Sequence, residues 1–171
     1  MLKCLESEVY DKRIEYVDLR ELKKRVTIGQ KRNIGADMAK TDYILHMDDD
    51  DYYPAESILA RVKLLIKYKD TIGCVGSSEV GTYDIINDTS SMASDGPMAL
   101  SEASMAYTKK FWEEQGFDRY IEKGEYASFI QNRFDKVMNI PYSFVVYAIS
   151  HGGNFTQRSN NKNLLKYKVN L

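Results

Sequence analysis

The 171-residue chain lacks a long apolar run, a surplus of charge of either sign and a cysteine framework, and each absence removes a class of protein. No stretch approaches the ~18 consecutive apolar residues that cross a bilayer, so no transmembrane segment is expected. Met1 to Tyr10 carries acids and has no apolar centre of the kind a secretory signal needs. The expectation is an enzyme of the cytoplasm or of a cytoplasmic face. Lys and Arg number 24 against 25 Asp and Glu, a formal net charge of −1. That balance leaves no basic field to hold nucleic-acid phosphates, and no nucleic-acid partner is expected. Cys4 and Cys74 form neither a CxxC pair nor a ligand cluster, so both read as free thiols of a reducing compartment. No internal repeat is present, and no Gly-rich loop of the phosphate-cradling type.

What is present is ordinary globular material, 43% apolar and 29% charged, with tyrosine abundant at 13 residues. The length fits one domain on the usual scale of ~100–200 residues. Residues 14–19 alternate apolar and polar and predict a strand. Thr27 is placed to cap a helix over 28–40. Residues 42–47 form a short apolar run that predicts a buried strand ending in four aspartates. Pro54 suits the first turn of a helix over 55–68, whose Ile58, Leu59, Val62, Leu65 and Ile66 recur at helical spacing. Two strands are predicted over 72–76 and 80–86 with a tight polar turn between them, then a surface loop over 87–96. A strand over 98–107, helices over 108–115 and 124–136 and a strand over 142–149 follow. Trp112, the only tryptophan, reads as core. Strands alternating with helices predict an α/β sheet, whose ligands bind beyond the carboxyl ends of the strands.

Four segments carry chemistry. Asp48 to Asp51 are adjacent carboxylates that repel one another and gain nothing from a core. A divalent cation at a strand end makes them reasonable, since hard cations prefer oxygen and Mg²⁺ or Mn²⁺ takes one or two carboxylates plus phosphate oxygens. The plainer reading is an acidic turn that caps the next helix. Gly29 to Gly35 offers Lys31 and Arg32 to phosphates and Asn33 to a base or ribose. Glu125 starts a helix, either as a favourable acid there or as a general base. His151, before Gly152 and Gly153, follows an apolar strand and can reach a bound metal.

In order along the chain, these segments resemble the inverting family 2 glycosyltransferases of the GT-A fold, over about residues 14 to 158. Gly29–Ala39 (GQKRNIGADMA) resembles the family's Gly-x-x-x-Arg-Asn-x-Gly helix. Tyr43–Pro54 (YILHMDDDDYYP) resembles its strand and Asp-x-Asp element. Ser104–Phe117 resembles the acceptor-side segment, Gly124-Glu125 the start of Gly-Glu-Asp, and His151-x-x-Asn154 a late His element. The resemblance implies a GT-A-like, Rossmann-like mixed sheet flanked by helices in a single domain over 1–158, followed by a polar tail over 159–171. It implies transfer of a sugar from a nucleoside diphosphate sugar to a hydroxyl of a glycan, protein or lipid acceptor, with Mn²⁺ or Mg²⁺ on the diphosphate. Asp50 carries over as metal ligand with His151 beside it. Asp48 and Asp49 carry over as nucleotide contacts, Arg32 and Asn33 with the nucleotide or diphosphate side.

The chain departs from the family pattern twice. The family opens with an apolar strand ending in Pro-Thr-Tyr-Asn-Arg or similar, then a helix and a second strand, whereas this chain begins near the third element. The resemblance then implies an N-terminally truncated domain: a fragment, a donor half supplied by a partner chain, or an incomplete donor site. Tyr126 also stands where the last acid of Gly-Glu-Asp is often the base. That leaves Glu125 as the expected base, with Glu122 behind it. A non-catalytic module that binds nucleotide sugar or glycan is the alternative.

Overall fold

The computed structural model describes residues 11–19, 25–94, 96 and 99–151. Helix α1 (Ile28–Met38) begins where Thr27 closes a capping box: its Oγ1 accepts from the Gln30 amide, and Gln30 Oε1 accepts from the Thr27 amide. Strand β1 (Tyr43–Leu45), helix α2 (Ser57–Lys67) and strands β2 (Cys74–Gly76), β3 (Glu79–Asp84) and β4 (Thr89–Ser94) follow. Then come β5 (Ala106–Thr108), α3 (Lys109–Glu114), α4 (Glu125–Ile130), β6 (Val137–Asn139) and β7 (Tyr147–Ser150). Single 3-10 turns occupy Glu102–Ser104, Phe134–Lys136 and Tyr142–Phe144.

The strands form two mixed sheets. The first has the order β1-β5-β2-β6, with β5 antiparallel to both neighbours and β2 parallel to β6. The second has the order β4-β3-β7, with β3 antiparallel to β4 and parallel to β7. Period-two alternation gives the first sheet a core on each face. Ile44, Cys74 and Tyr107 pack with Ala36 of α1, Phe111 of α3 and Phe129 of α4. Val75 and Ala106 pack on the other face with Leu65 of α2, flanked by Tyr43 and Leu45. Phe117 stacks on Phe129 at 4.0 Å between ring centres and 10° between planes, and Tyr107 meets Phe129 edge-on at 4.8 Å.

Two buried arginines tie ends together. Arg61, on α2, donates from Nε to the Ser57 carbonyl and from Nη1 to the His46 carbonyl at 3.0 Å and the Met105 carbonyl at 3.3 Å. It therefore pins β1 at the end that leads into the aspartates. Arg133 lies over the Phe111 ring at 3.6 Å and donates to the carbonyls of Phe111, Gln115 and Phe129, which closes the ends of α3 and α4.

Several expected elements differ. Residues 14–19 join no sheet, and Ile14, Tyr16 and Val17 are exposed. Their alternation is real, but a strand needs a hydrogen-bonding edge as well as a pattern. The predicted loop over 87–96 contains β4, paired residue for residue with β3. The turn between them is made by the Asp84 carboxylate, which accepts from the amides of Ile86 and Asn87, with Asp88 in the left-handed region at φ 50°. β2 and β3 are not a pair but belong to different sheets. The helix expected over 124–136 stops at Ile130, and Asn132 at φ 63° turns the chain out of it. The strand expected over 142–149 opens as a 3-10 turn and starts at Tyr147. Trp112 is partly buried against the core and donates from Nε1 to Asn33 Oδ1 at 2.9 Å. Burial pushes the Cys74 thiol up to about 12; Cys4 and the tail over 159–171 lie outside the described residues.

Candidate functional site

The acid run leaves β1 at the carboxyl end of the first sheet and is fastened along its length. The Asp48 amide donates to Tyr53 Oη at 2.7 Å, and that hydroxyl donates on to the Ala103 carbonyl at 3.3 Å. Asp51 Oδ1 accepts from the Ile149 amide of β7 at 3.2 Å. Tyr52 pairs through its backbone with Tyr147, in both directions, at 2.9 and 2.8 Å. The run thus bridges the two sheets. Asp50 Oδ2 lies 3.6 Å from His151 Nε2, which brings together two expected metal ligands that are far apart in sequence.

Beneath the run lies a buried polar cluster. Arg32, on α1, donates from Nε to Glu125 Oε1 at 2.6 Å, and the Glu125 residue is only 3% exposed. Arg32 Nη1 lies 2.9 Å from His46 Nδ1, and His46 Nε2 lies 3.0 Å from Tyr107 Oη. Burial, aided by the positive charges of Arg32 and Arg61, pushes the His46 imidazole down to about 3. Burial, with the like charge of Glu125, raises the Glu102 carboxyl, while Arg32 and the Tyr126 amide oppose the rise. Asp48 is held above the usual carboxylate range by partial burial and by the charges of Asp50, Glu125 and Asp49, against the pull of Arg32. Its exposed face lets water screen part of that repulsion.

Six of the expected residues, Arg32, Asp48, Asp49, Asp50, Glu125 and His151, therefore share one region. Asn33 is turned elsewhere. Its Oδ1 accepts from the Phe117 amide and from Trp112, and its Nδ2 donates to the Phe117 carbonyl at 2.7 Å, so its side chain fastens α1 to the segment after α3. Glu122 pairs with Arg25 at 3.2 Å on the surface. His46 and Glu102 join the cluster although neither is among the expected site residues. His46 is marked in the sequence only as a polar residue inside the apolar run over 42–47, whereas nothing local marks Glu102.

Among the described residues, no group of three His, Cys, Asp or Glu side chains is arranged to hold a metal ion. The donor pair nonetheless fits a shared cation. Two ligand atoms at ~2.1 Å from one ion sit about 3.0–3.5 Å apart at octahedral or tetrahedral angles, close to the Asp50–His151 spacing. A cleft of about 540 Å³ lies on the outer side of α1, lined by Lys31, Ile34, Gly35 and Met38 with residues of the 13–19 segment, and it contains none of the four aspartates. The site rests on converging charge rather than on that cleft.

No helix among the described residues is long and apolar enough to cross a membrane. Comparison with curated proteins gives no match. A family model, glycosyl transferase family 2, matches residues 1–137, a span that holds α1, the acid run and Glu125. The two mixed sheets with flanking helices are GT-A-like, and the chain belongs to glycosyl transferase family 2.

Proposed function

We propose that this chain is a metal-dependent glycosyltransferase that moves a sugar from a nucleoside diphosphate sugar to an acceptor hydroxyl with inversion. Family membership implies a nucleotide-sugar donor and an acceptor. The observation that carries the finer reading is the meeting of Asp50 and His151 at the end of the acid run, above the Arg32–Glu125 pair.

In this reading Asp50 and His151 hold Mn²⁺ or Mg²⁺. The bound cation supplies charge neutralisation for the donor diphosphate. Asp48 and Asp49 face the nucleotide and accept from ribose hydroxyls. Arg32 contributes its positive charge from below, and Asn33 serves the same side by fixing α1 in place. Glu125 takes the proton of the acceptor hydroxyl as that oxygen bonds to the anomeric carbon, while the bond from this carbon to the diphosphate breaks and the nucleoside diphosphate leaves. Holding both substrates in line supplies the orientation. The domain extends over 1–158 with the polar tail after it.

The grip of Arg32 on Glu125 favours a second reading. A carboxylate that is buried and bonded at 2.6 Å to a guanidinium is hard for an acceptor to reach. That favours a module that binds nucleotide sugar or glycan without turning it over. The test is incubation with Mn²⁺ and a panel of nucleoside diphosphate sugars, following both binding and release of nucleoside diphosphate. Turnover that disappears in Asp50→Ala supports the enzyme; binding without turnover supports the module.

A further inference from the structure

We propose that His46 is a positioning residue whose bare Nδ1 accepts a hydrogen bond from Arg32 and so locks the guanidinium onto Glu125 beneath the acid run. The inference draws on the proposed function only for its consequence in catalysis; its geometry stands alone.

His46 Nδ1 lies 2.9 Å from Arg32 Nη1 and 3.0 Å from the Glu102 carbonyl oxygen. A guanidinium only donates and a carbonyl only accepts, so one ring nitrogen serves one of them. A proton on Nδ1 would bond the Glu102 carbonyl but set N–H against N–H at Arg32, in a buried site where such a clash is costly. Without that proton, Nδ1 accepts from Arg32. That choice sets the Nδ1 lone pair 3.0 Å from the Glu102 carbonyl oxygen, which keeps the Met105 amide as donor at 3.2 Å, and the charge-assisted bond from Arg32 outweighs this contact. The ring proton then sits on Nε2 and points at Tyr107 Oη, 3.0 Å away. Burial keeps the imidazole neutral, so one of its two nitrogens is bare; the contacts around the ring decide which.

The consequence concerns Arg32. It is held from two directions, at Nε by Glu125 and at Nη1 by His46. Its charge therefore acts on the acid run as a fixed floor, and it does not swing out to meet a phosphate.

The chain has two histidines, which makes nitrogen NMR of the imidazoles direct. Uniformly ¹⁵N-labelled protein is compared with His46→Asn, which keeps an acceptor near the Nδ1 position, and with His46→Leu, which has none. Loss of one imidazole set in either variant assigns His46. We expect a pyridine-like Nδ1 and a protonated Nε2 in the parent. The Arg32 Nε–H, assigned by its loss in Arg32→Lys, should exchange slowly in the parent and in His46→Asn, and about tenfold faster in His46→Leu. A protonated Nδ1 overturns the proposal, as does equal Arg32 exchange in His46→Leu and the parent. Should His46→Leu not fold, the parent tautomer and the His46→Asn exchange rate still decide. None of these readings needs a donor sugar, so a protein that transfers nothing would refute the proposed activity while leaving this inference to be judged separately.

Discussion

The two sides of the site are made of opposite materials. On the side of the first sheet, Arg32, His46, Tyr107 and Glu125 are packed under the strand end and bonded to one another. On the side of the second sheet, Asp50 and His151 keep side-chain exposures of 47% and 32% and meet only at 3.6 Å. The buried side resists change because removing one member strands another without water. The open side has little to lose in the absence of a ligand. The contrast separates the side that is fixed by its own bonds from the side that is open to a ligand.

Substitution on the two sides should break along that line. The largest effect falls on the buried pair. Glu125→Ala leaves the half-buried Arg32 charge without its carboxylate, and urea unfolding should register a loss of about 3 kcal/mol. Next is Gly29→Ala. A Cβ there would overlap the Asp118 backbone carbonyl, which has no flexible end to move aside. The expected loss is about 1–3 kcal/mol, with a fall in melting temperature. Thr27→Ala removes the α1 cap and the bond from its hydroxyl to the Arg119 carbonyl at 2.6 Å, for about 1 kcal/mol.

The smallest effect has the opposite sign. The folded chain holds the Asp48 proton more tightly than the unfolded chain does, because the Asp48 carboxyl lies above its usual range. Parent stability should therefore rise as pH falls from neutral through that raised value, and level off below the ordinary carboxylate value. Asp48→Asn should remove this rise and be slightly more stable than the parent at neutral pH, by less than about 1 kcal/mol given screening at its exposed face. Urea titrations of both proteins across pH 4 to 7 check the sign. A parent that loses stability over that window through Asp48 would erase the distinction between the two sides.

How much of this was legible beforehand follows the same division. α1 could be read because Thr27 and the helix after it are local signals, and the acid run could be read because four like charges at the end of an apolar strand demand a reason. The α/β class came from alternating elements and the mixed sheet from the resemblance, whereas the two-sided core, with Ile44 on one face and Tyr43 and Leu45 on the other, emerges only from the packing. β4 was not legible, since Thr89 to Ser94 carries no apolar face and becomes a strand only by pairing with β3. The Arg32–Glu125 pair spans 93 residues, and Glu102 joins it from a turn with no motif. Contacts of that range depend on which faces pack together, and no window of sequence contains them. Asn33 illustrates the same gap. Its residue type suits a ligand, but the packing of α1 against Phe117 and Trp112 takes up its amide.

The central claim is that the open side takes a divalent cation together with a diphosphate. The most direct measurement is a Mn²⁺ titration followed by electron paramagnetic resonance, with and without a nucleoside diphosphate, on the parent and on Asp50→Ala. The account predicts Mn²⁺ uptake that strengthens with the nucleotide in the parent and is lost in Asp50→Ala, whose urea unfolding curve stays within about 0.5 kcal/mol of the parent. Equal uptake by the two proteins, or uptake indifferent to the nucleotide, would contradict it.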